Sequence, residues 1–210
     1  MAALRDWAAR RPAVAGLFYP AEPAECRRLA RECVFGSAIA PEGVAPVEPD
    51  FGESKEAART EPRPRKAIAL GAIVPHAGWI CSGAIAGESI RELSKRAGPV
   101  DVVVVFGAVH TPLDLEVAAL DTHATWLEPG SETSVAQDVR AKLGETKNLF
   151  AVNDEFHHRE HAVEVELPLI REAWPDSTLL PIEVPLIDSA IEIGRAVAKR
   201  ITDGKLRAVF

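Results

Sequence analysis

Two stretches of this chain are almost uninterrupted runs of apolar residues. Residues 67–74 read AIALGAIV and stop at Pro75, and residues 100–106 read VDVVVVF and stop at Gly107. Their length and β-branched content predict strands buried on both faces. Between them, residues 82–96 carry a helical pattern. A buried strand, a helix and a second buried strand make a crossover unit with parallel strands. Further on, residues 113–120 alternate and predict an edge strand, and residues 134–143 predict an amphipathic helix. Residues 160–174 predict a stronger helix with a break at Pro168. Residues 179–184 predict a strand. Residues 188–201 predict a helix with Asp188 as its N-cap and Gly204 at its end. Near the start, residues 22–33 predict a helix, with Pro23 where proline is tolerated. The pattern as a whole is α/β.

Residues 36–66 break the pattern. They are rich in Pro, Glu, Ala and Gly, show no period, and cannot bury enough apolar surface to offset the entropy of ordering them. We read them as a disordered insertion within a single domain spanning residues 1–210. The last residues, LRAVF at 206–210, read as the opening of another buried strand with no turn or polar tail behind it. That predicts a chain that stops short of the whole domain.

Charge narrows the function. Lys and Arg number 24 against 31 Asp and Glu, a formal charge of -7. This acidic balance argues against nucleic acid, whose binders need basic patches to displace counterions. No run approaches the roughly 20 apolar residues that span a bilayer, and the N-terminus lacks the apolar stretch of a signal peptide. Cys26, Cys33 and Cys81 are odd in number and have no CxxC spacing, which points to a reducing, cytoplasmic setting. Cys26 and Cys33 are seven apart on the predicted helix and are read as core residues.

The candidate chemistry lies in the histidines. His76 follows the first apolar run in Val74-Pro75-His76-Ala77-Gly78, and His110 follows the second in Phe106-Gly107-Ala108-Val109-His110. In open α/β sheets the loops beyond the carboxyl ends of the strands form the ligand crevice. Two imidazoles leaving neighbouring strands at one end can share a metal ion. A lone histidine there more often caps a turn. A third cluster is His157-His158-Arg159-Glu160-His161-Ala162-Val163-Glu164. On a helix His161 and Glu164 share a face, and His157 can join them. Such a carboxylate orients a ring for acid–base work. Helix-dipole complementation suffices for Glu160. His123 reads as a surface turn residue, Ser82 as an N-cap, and Cys81 as a spacer. Dinucleotide, phosphate-loop and nucleophile-elbow motifs are absent from the sequence.

AVAGLFYPAEPAE, AIVPHAGWICSG, VVVVFGAVHTPL and EHAVEVELPLI occur in this order. Together they resemble the Memo family, whose microbial members are also called AmmeMemoRadiSam system protein B. The resemblance runs from about residue 12 to residue 210, apart from the insertion. It implies a fold like that of the class III extradiol dioxygenases: a mixed, largely parallel β-sheet flanked by helices, with a metal pocket at one end. It also implies ferrous iron as the metal, His76 and His110 as ligands, and His161 with its acidic partner Glu164 as catalytic residues at the pocket. Two departures stand out. GAVH replaces the family's usual GPSH, and the later motif SSDxxHxG does not occur in these residues, so the iron site is expected to be incomplete. The implied function is redox or dioxygenase-type chemistry on an unknown substrate. The alternative is a non-catalytic adaptor that uses the same pocket for a small molecule or peptide.

Overall fold

A computed structural model describes residues 9–36, 70–110, 116–153 and 155–210. The predicted insertion at 36–66 lies outside them apart from Gly36. The larger of two sheets is built from Val102–Ala108 (β2), Ala118–Leu120 (β3), Phe150–Val152 (β6), Thr178–Val184 (β7) and Ala208–Val209 (β8), in the order β6-β3-β7-β2-β8. β2 pairs in parallel with both β7 and β8, and β3 pairs in parallel with β6. Within this sheet, among the described residues, only the β3–β7 pairing is antiparallel. The sheet is therefore mixed and largely parallel, in an α/β architecture of the kind expected. The smaller sheet joins Ala9–Arg10 (β1), Thr125–Glu128 (β4) and Ser131–Ser134 (β5).

The valines of β2 show why the apolar runs fold this way. Val103 packs into the core beneath Pro23–Phe35 (α1), Trp79–Ala97 (α2) and Leu167–Ala173 (α5). Val102 and Val104 point the other way, into the core beneath Gln137–Leu143 (α3) and Ala190–Asp203 (α6). The period-two alternation of a strand thus serves both apolar layers, so no polar residue is tolerated on either face. The helix layer is close-packed where α1 crosses α2. A Cβ added at Gly87 would come within 2.4 Å of the Cys33 backbone. Cys26 is buried in this core and Cys33 packs against it. α1 starts cleanly because the Glu22 carboxylate accepts from the amides of Ala24 and Glu25, and Pro23 occupies the first turn.

Several expectations are corrected. The described part of the first apolar run, residues 70–74, forms no regular strand. It lies parallel beside β8 rather than β2, through Phe210 N–H to Leu70 O and Ala72 N–H to Phe210 O. Leu70 and Ile73 are exposed, at 62% and 99%, because only one side of this segment meets the sheet. The predicted edge strand at 113–120 is an interior strand: β3 is fully buried between β6 and β7. Small alanines allow that close fit, and β6, which the pattern did not reveal, takes the edge. The helix predicted from residue 134 begins at Gln137, since Ser134 belongs to β5. The break in 160–174 comes earlier than Pro168. A 3-10 turn at Glu164–Glu166 precedes α5, and Pro168 sits in the first turn of α5, where its missing N–H costs nothing. Ser189, not Asp188, stands at the N-cap of α6, with no side-chain capping bond.

Candidate metal centre

The carboxyl end of β2 delivers His110 two residues beyond Ala108. The turn before α2 delivers His76. His161 comes from the short link between Glu155–Arg159 (α4) and the 3-10 turn. The three rings converge. Nε2 of His76 lies 3.3 Å from Nε2 of His110, and the His161 ring centre is 4.5 Å from that of His110 and 6.2 Å from that of His76.

The His76 loop is pinned from both sides. Trp79 donates its indole N–H to Val165 O at 2.8 Å and its amide to Phe18 O. Ser82 does not cap α2 as expected. Its hydroxyl donates back to Ala77 O at 2.9 Å, which ties the loop to the first turn of the helix while Gly78 stands at the N-cap.

Glu160 organises the cluster. Its side chain is 1% exposed. One oxygen accepts the His110 amide at 2.6 Å, and the other takes His110 Nδ1 at 2.7 Å and the His161 amide at 2.8 Å. Burial pushes this carboxyl up, but the bonds from His110, His161 and Ala162 outweigh it and hold the pKa at about 2. The carboxylate is therefore ionised, so Nδ1 of His110 is the donor, and Nε2 is the ring nitrogen that faces His76. This is the carboxylate–histidine arrangement that orients metal-bound imidazoles. His76 and His161 are both held below the ordinary histidine value, by burial first and then by the neighbouring rings; Glu160 pulls against this in both. Neutral rings are the ligand form.

The donor set fits a metal ion. Two bonds of about 2.1 Å at roughly 105° separate their nitrogens by about 3.3 Å, which is the spacing seen between His76 and His110. Among the described residues, His110, Glu160 and His161 form a group whose ligand atoms all lie within 4.8 Å of one another.

Glu164 sits elsewhere. Its carboxylate accepts from the Ala13 and Val14 amides and the Tyr19 hydroxyl, and it pairs with Arg10 at 2.8 Å. The carboxylate hydrogen-bonded to the histidine cluster is Glu160, four residues earlier. Glu164 instead fastens the 13–19 segment, whose Phe18 ring packs 4.7 Å from His161. Arg10, 1% exposed, also donates to the carbonyls of His157 and Glu160 and lies 4.1 Å over the Trp126 ring. His157 does not share a face with His161, because α4 ends at Arg159. It points inward, fully buried, and Nε2 donates to Ala119 O at 3.2 Å. His123 is held by Asp121 at 2.7 Å, away from the cluster, and Cys81 is exposed.

Sequence reasoning passed over Glu160 and Arg10. The signal for Glu160 was its place directly before His161; helix-dipole reasoning absorbed it. Arg10 lies among three N-terminal arginines (Arg5, Arg10 and Arg11) and carries no local sign of burial.

Comparison with known proteins shows the family. The sequence matches the family described as Memo-like protein over residues 10–210. The chain belongs to the Memo-like family. A MEMO1 family protein of Thermotoga petrophila is 32% identical over 202 residues, covering 96% of this chain and 65% of the relative. One from Methanopyrus kandleri is 30% identical, covering 90% of this chain and 61% of the relative. One from Methanococcus maripaludis is 28% identical, covering 90% and 63%. The chain thus spans less than two thirds of the length of these Memo-like relatives. Among the described residues, no helix is long and apolar enough to cross a membrane.

Proposed function

We propose that this Memo-like chain holds one divalent transition-metal ion, ferrous iron, through Nε2 of His76 and His110, and uses it for redox or dioxygenase-type chemistry on a small molecule. The observation that carries this reading is the 3.3 Å approach of two Nε2 atoms, with the far nitrogen of one ring bonded to an ionised, buried carboxylate. When bound, such an ion supplies a Lewis-acidic, redox-active centre with open positions.

The chain's own residues do the rest. Glu160 fixes the His110 tautomer and aims its lone pair. His161, a neutral imidazole beside both rings, accepts and returns a proton at the rim. Phe18 packs on His161 and limits water there. Glu164 and Arg10 act through the backbone: they hold the 13–19 segment and the link bearing His161. In this reading Glu164 is a positioning residue and His161 the acid or base.

The test is metal content. Purified protein reconstituted anaerobically with Fe(II) is expected to hold about one equivalent, and His76→Ala and His110→Ala are each expected to lose it. Iron content unchanged in both variants would overturn the proposal.

A further inference from the structure

Glu183 and His157 are fully buried and play no part in the metal reading above. Both carboxyl oxygens of Glu183 and Nδ1 of His157 are sealed from solvent and have no hydrogen-bond partner among the described residues. Oε1 and Nδ1 lie 3.6 Å apart, just beyond hydrogen-bonding distance. The neighbours say where the proton is. Nε2 of His157 faces Ala119 O at 3.2 Å, and a carbonyl only accepts, so Nε2 carries the ring proton and Nδ1 is an acceptor without a donor. Burial holds the His157 pKa at about 4, with Asp121 pulling upwards, so the ring is neutral at neutral pH. A buried carboxylate with no donor at either oxygen is a costly state, and protonation relieves it. The other charged groups nearby are already committed. Arg10 serves Glu164 and two carbonyls, Asp121 takes Thr122 N–H, His123 and Trp126, and Glu160 takes His110, His161 and Ala162. Burial first, then Glu160 and Asp121, push the Glu183 carboxyl far above the ordinary range, while Arg10 opposes them.

The pair sits where two segments of the metal centre meet. In β7, Glu183 is in register with Gly107 of β2 on one side and Ala119 of β3 on the other. A Cβ at Gly107 would run into the Glu183 carboxyl and the Val163 side chain, so the glycine lets the acid lie under the end of β2 just before His110. His157 stands in α4, just before Glu160 and His161. We infer that Glu183 is a neutral acid that donates to Nδ1 of His157, and that this bond locks the end of β2 bearing His110 to the segment bearing Glu160 and His161. The two segments are then joined twice, at the rim through Glu160 and His110 and in the core through Glu183 and His157. Glu183 acts here as a positioning residue. Its role at the metal centre rests on the reading above; the bond itself does not.

The test begins with the unmodified protein. Its infrared spectrum is expected to contain a protonated-carboxyl C=O band that Glu183→Gln removes, and nitrogen NMR shifts are expected to find His157 as the neutral Nε2–H tautomer. Glu183→Gln keeps a donor for Nδ1 and is expected to hold Fe(II) as the unmodified protein does. Glu183→Leu has similar bulk and no donor, and is expected to weaken Fe(II) binding by at least about tenfold. In Glu183→Leu without metal, the His110, His161 and Ala162 amides that Glu160 binds are expected to exchange with solvent faster. The amides of Ile193 and Val197, in the core under α6, are expected to keep their rates. A missing carboxyl band, a charged or Nδ1–H ring at His157, or Glu183→Leu behaving as the unmodified protein would each overturn the inference. So would Glu183→Gln failing as badly as Glu183→Leu, or exchange in Glu183→Leu rising equally at α6. If Glu183→Leu does not fold, the spectra and the Glu183→Gln affinity decide. If the unmodified protein holds no iron, the metal reading fails, and the spectra and exchange rates still decide the lock.

Discussion

Glu160 and Glu166 are six residues apart and equally hidden from water, at 1% and 2% exposure, yet the structure drives them to opposite states. Glu160, at the rim of the histidine cluster, is held at about 2. Glu166, at the end of the 3-10 turn before α5, is raised to about 8. Burial acts on both in the same direction. The difference is that three backbone amides and a ring nitrogen reach Glu160, while Oε2 of Glu166 has no hydrogen-bond partner. Burial thus leaves the charge of a carboxyl open, and the donors supplied by the backbone decide it. Glu164, between them in sequence and just as buried, is satisfied by a third route, the Arg10 guanidinium and the anchoring of the 13–19 segment.

The contrast can be broken most severely at Arg10. Arg10→Met removes the cation from a buried pair and frees two carbonyls, which is expected to destabilise the fold by about 3–5 kcal/mol in urea unfolding. A loss below about 1 kcal/mol would mean that Glu164 needs only its amide donors.

The next effect is the pH dependence at Glu166. A carboxyl whose folded pKa lies above its unfolded value binds more protons in the folded state. Its contribution is therefore fully present below about 4.5 and is lost as pH rises towards about 8. Glu166→Gln, which has nothing to ionise, is expected to gain stability over the unmodified protein across that window, by up to about 1.4 kcal/mol per pH unit. The two proteins keeping a constant difference from pH 5 to pH 8 would refute this state for Glu166.

The smallest effect sharpens the other side of the comparison. Glu160→Gln keeps the shape but loses the charge that fixes the His110 tautomer, and iron affinity is expected to fall by about 10–100-fold, measured by competition with a chelator. Its sign with pH is opposite to that of Glu166. The folded pKa of about 2 lies below the unfolded value, so Glu160 stabilises the fold above about 4.5 and that contribution is lost as pH falls towards about 2. An unchanged affinity in Glu160→Gln would leave the carboxylate a purely structural role.

Much of the fold was legible because its signals are local. The valines of β2 announce a strand buried on both faces, and the helix expected over 82–96 forms as Trp79–Ala97. His76 and His110 could be paired in advance because each follows an apolar run, and although residues 70–74 form no regular strand they run parallel beside Phe210 and reach the same rim as β2. Errors arose where the deciding partner was remote in sequence. Residues 70–74 look like any buried strand, but they lie beside Phe210, with Leu70 and Ile73 in the open. β3 looks like an edge until β6 covers it. His157 and His161 have helical spacing, but α4 ends between them.

By itself the sequence determined the α/β class, a strand buried on both faces and the placement of two histidines just beyond apolar runs, since periodicity and turn chemistry act between neighbours along the chain. Only the tertiary structure decided which carboxyl is charged, which one braces the N-terminal segment and which one is buried with an oxygen left unpartnered. Those states depend in large part on donors remote in sequence, Arg10 and His110, and on the lack of a partner for Oε2 of Glu166. An acid's charge follows from what surrounds it in space, and the spacing of EHAVEVE along the chain carries no record of that.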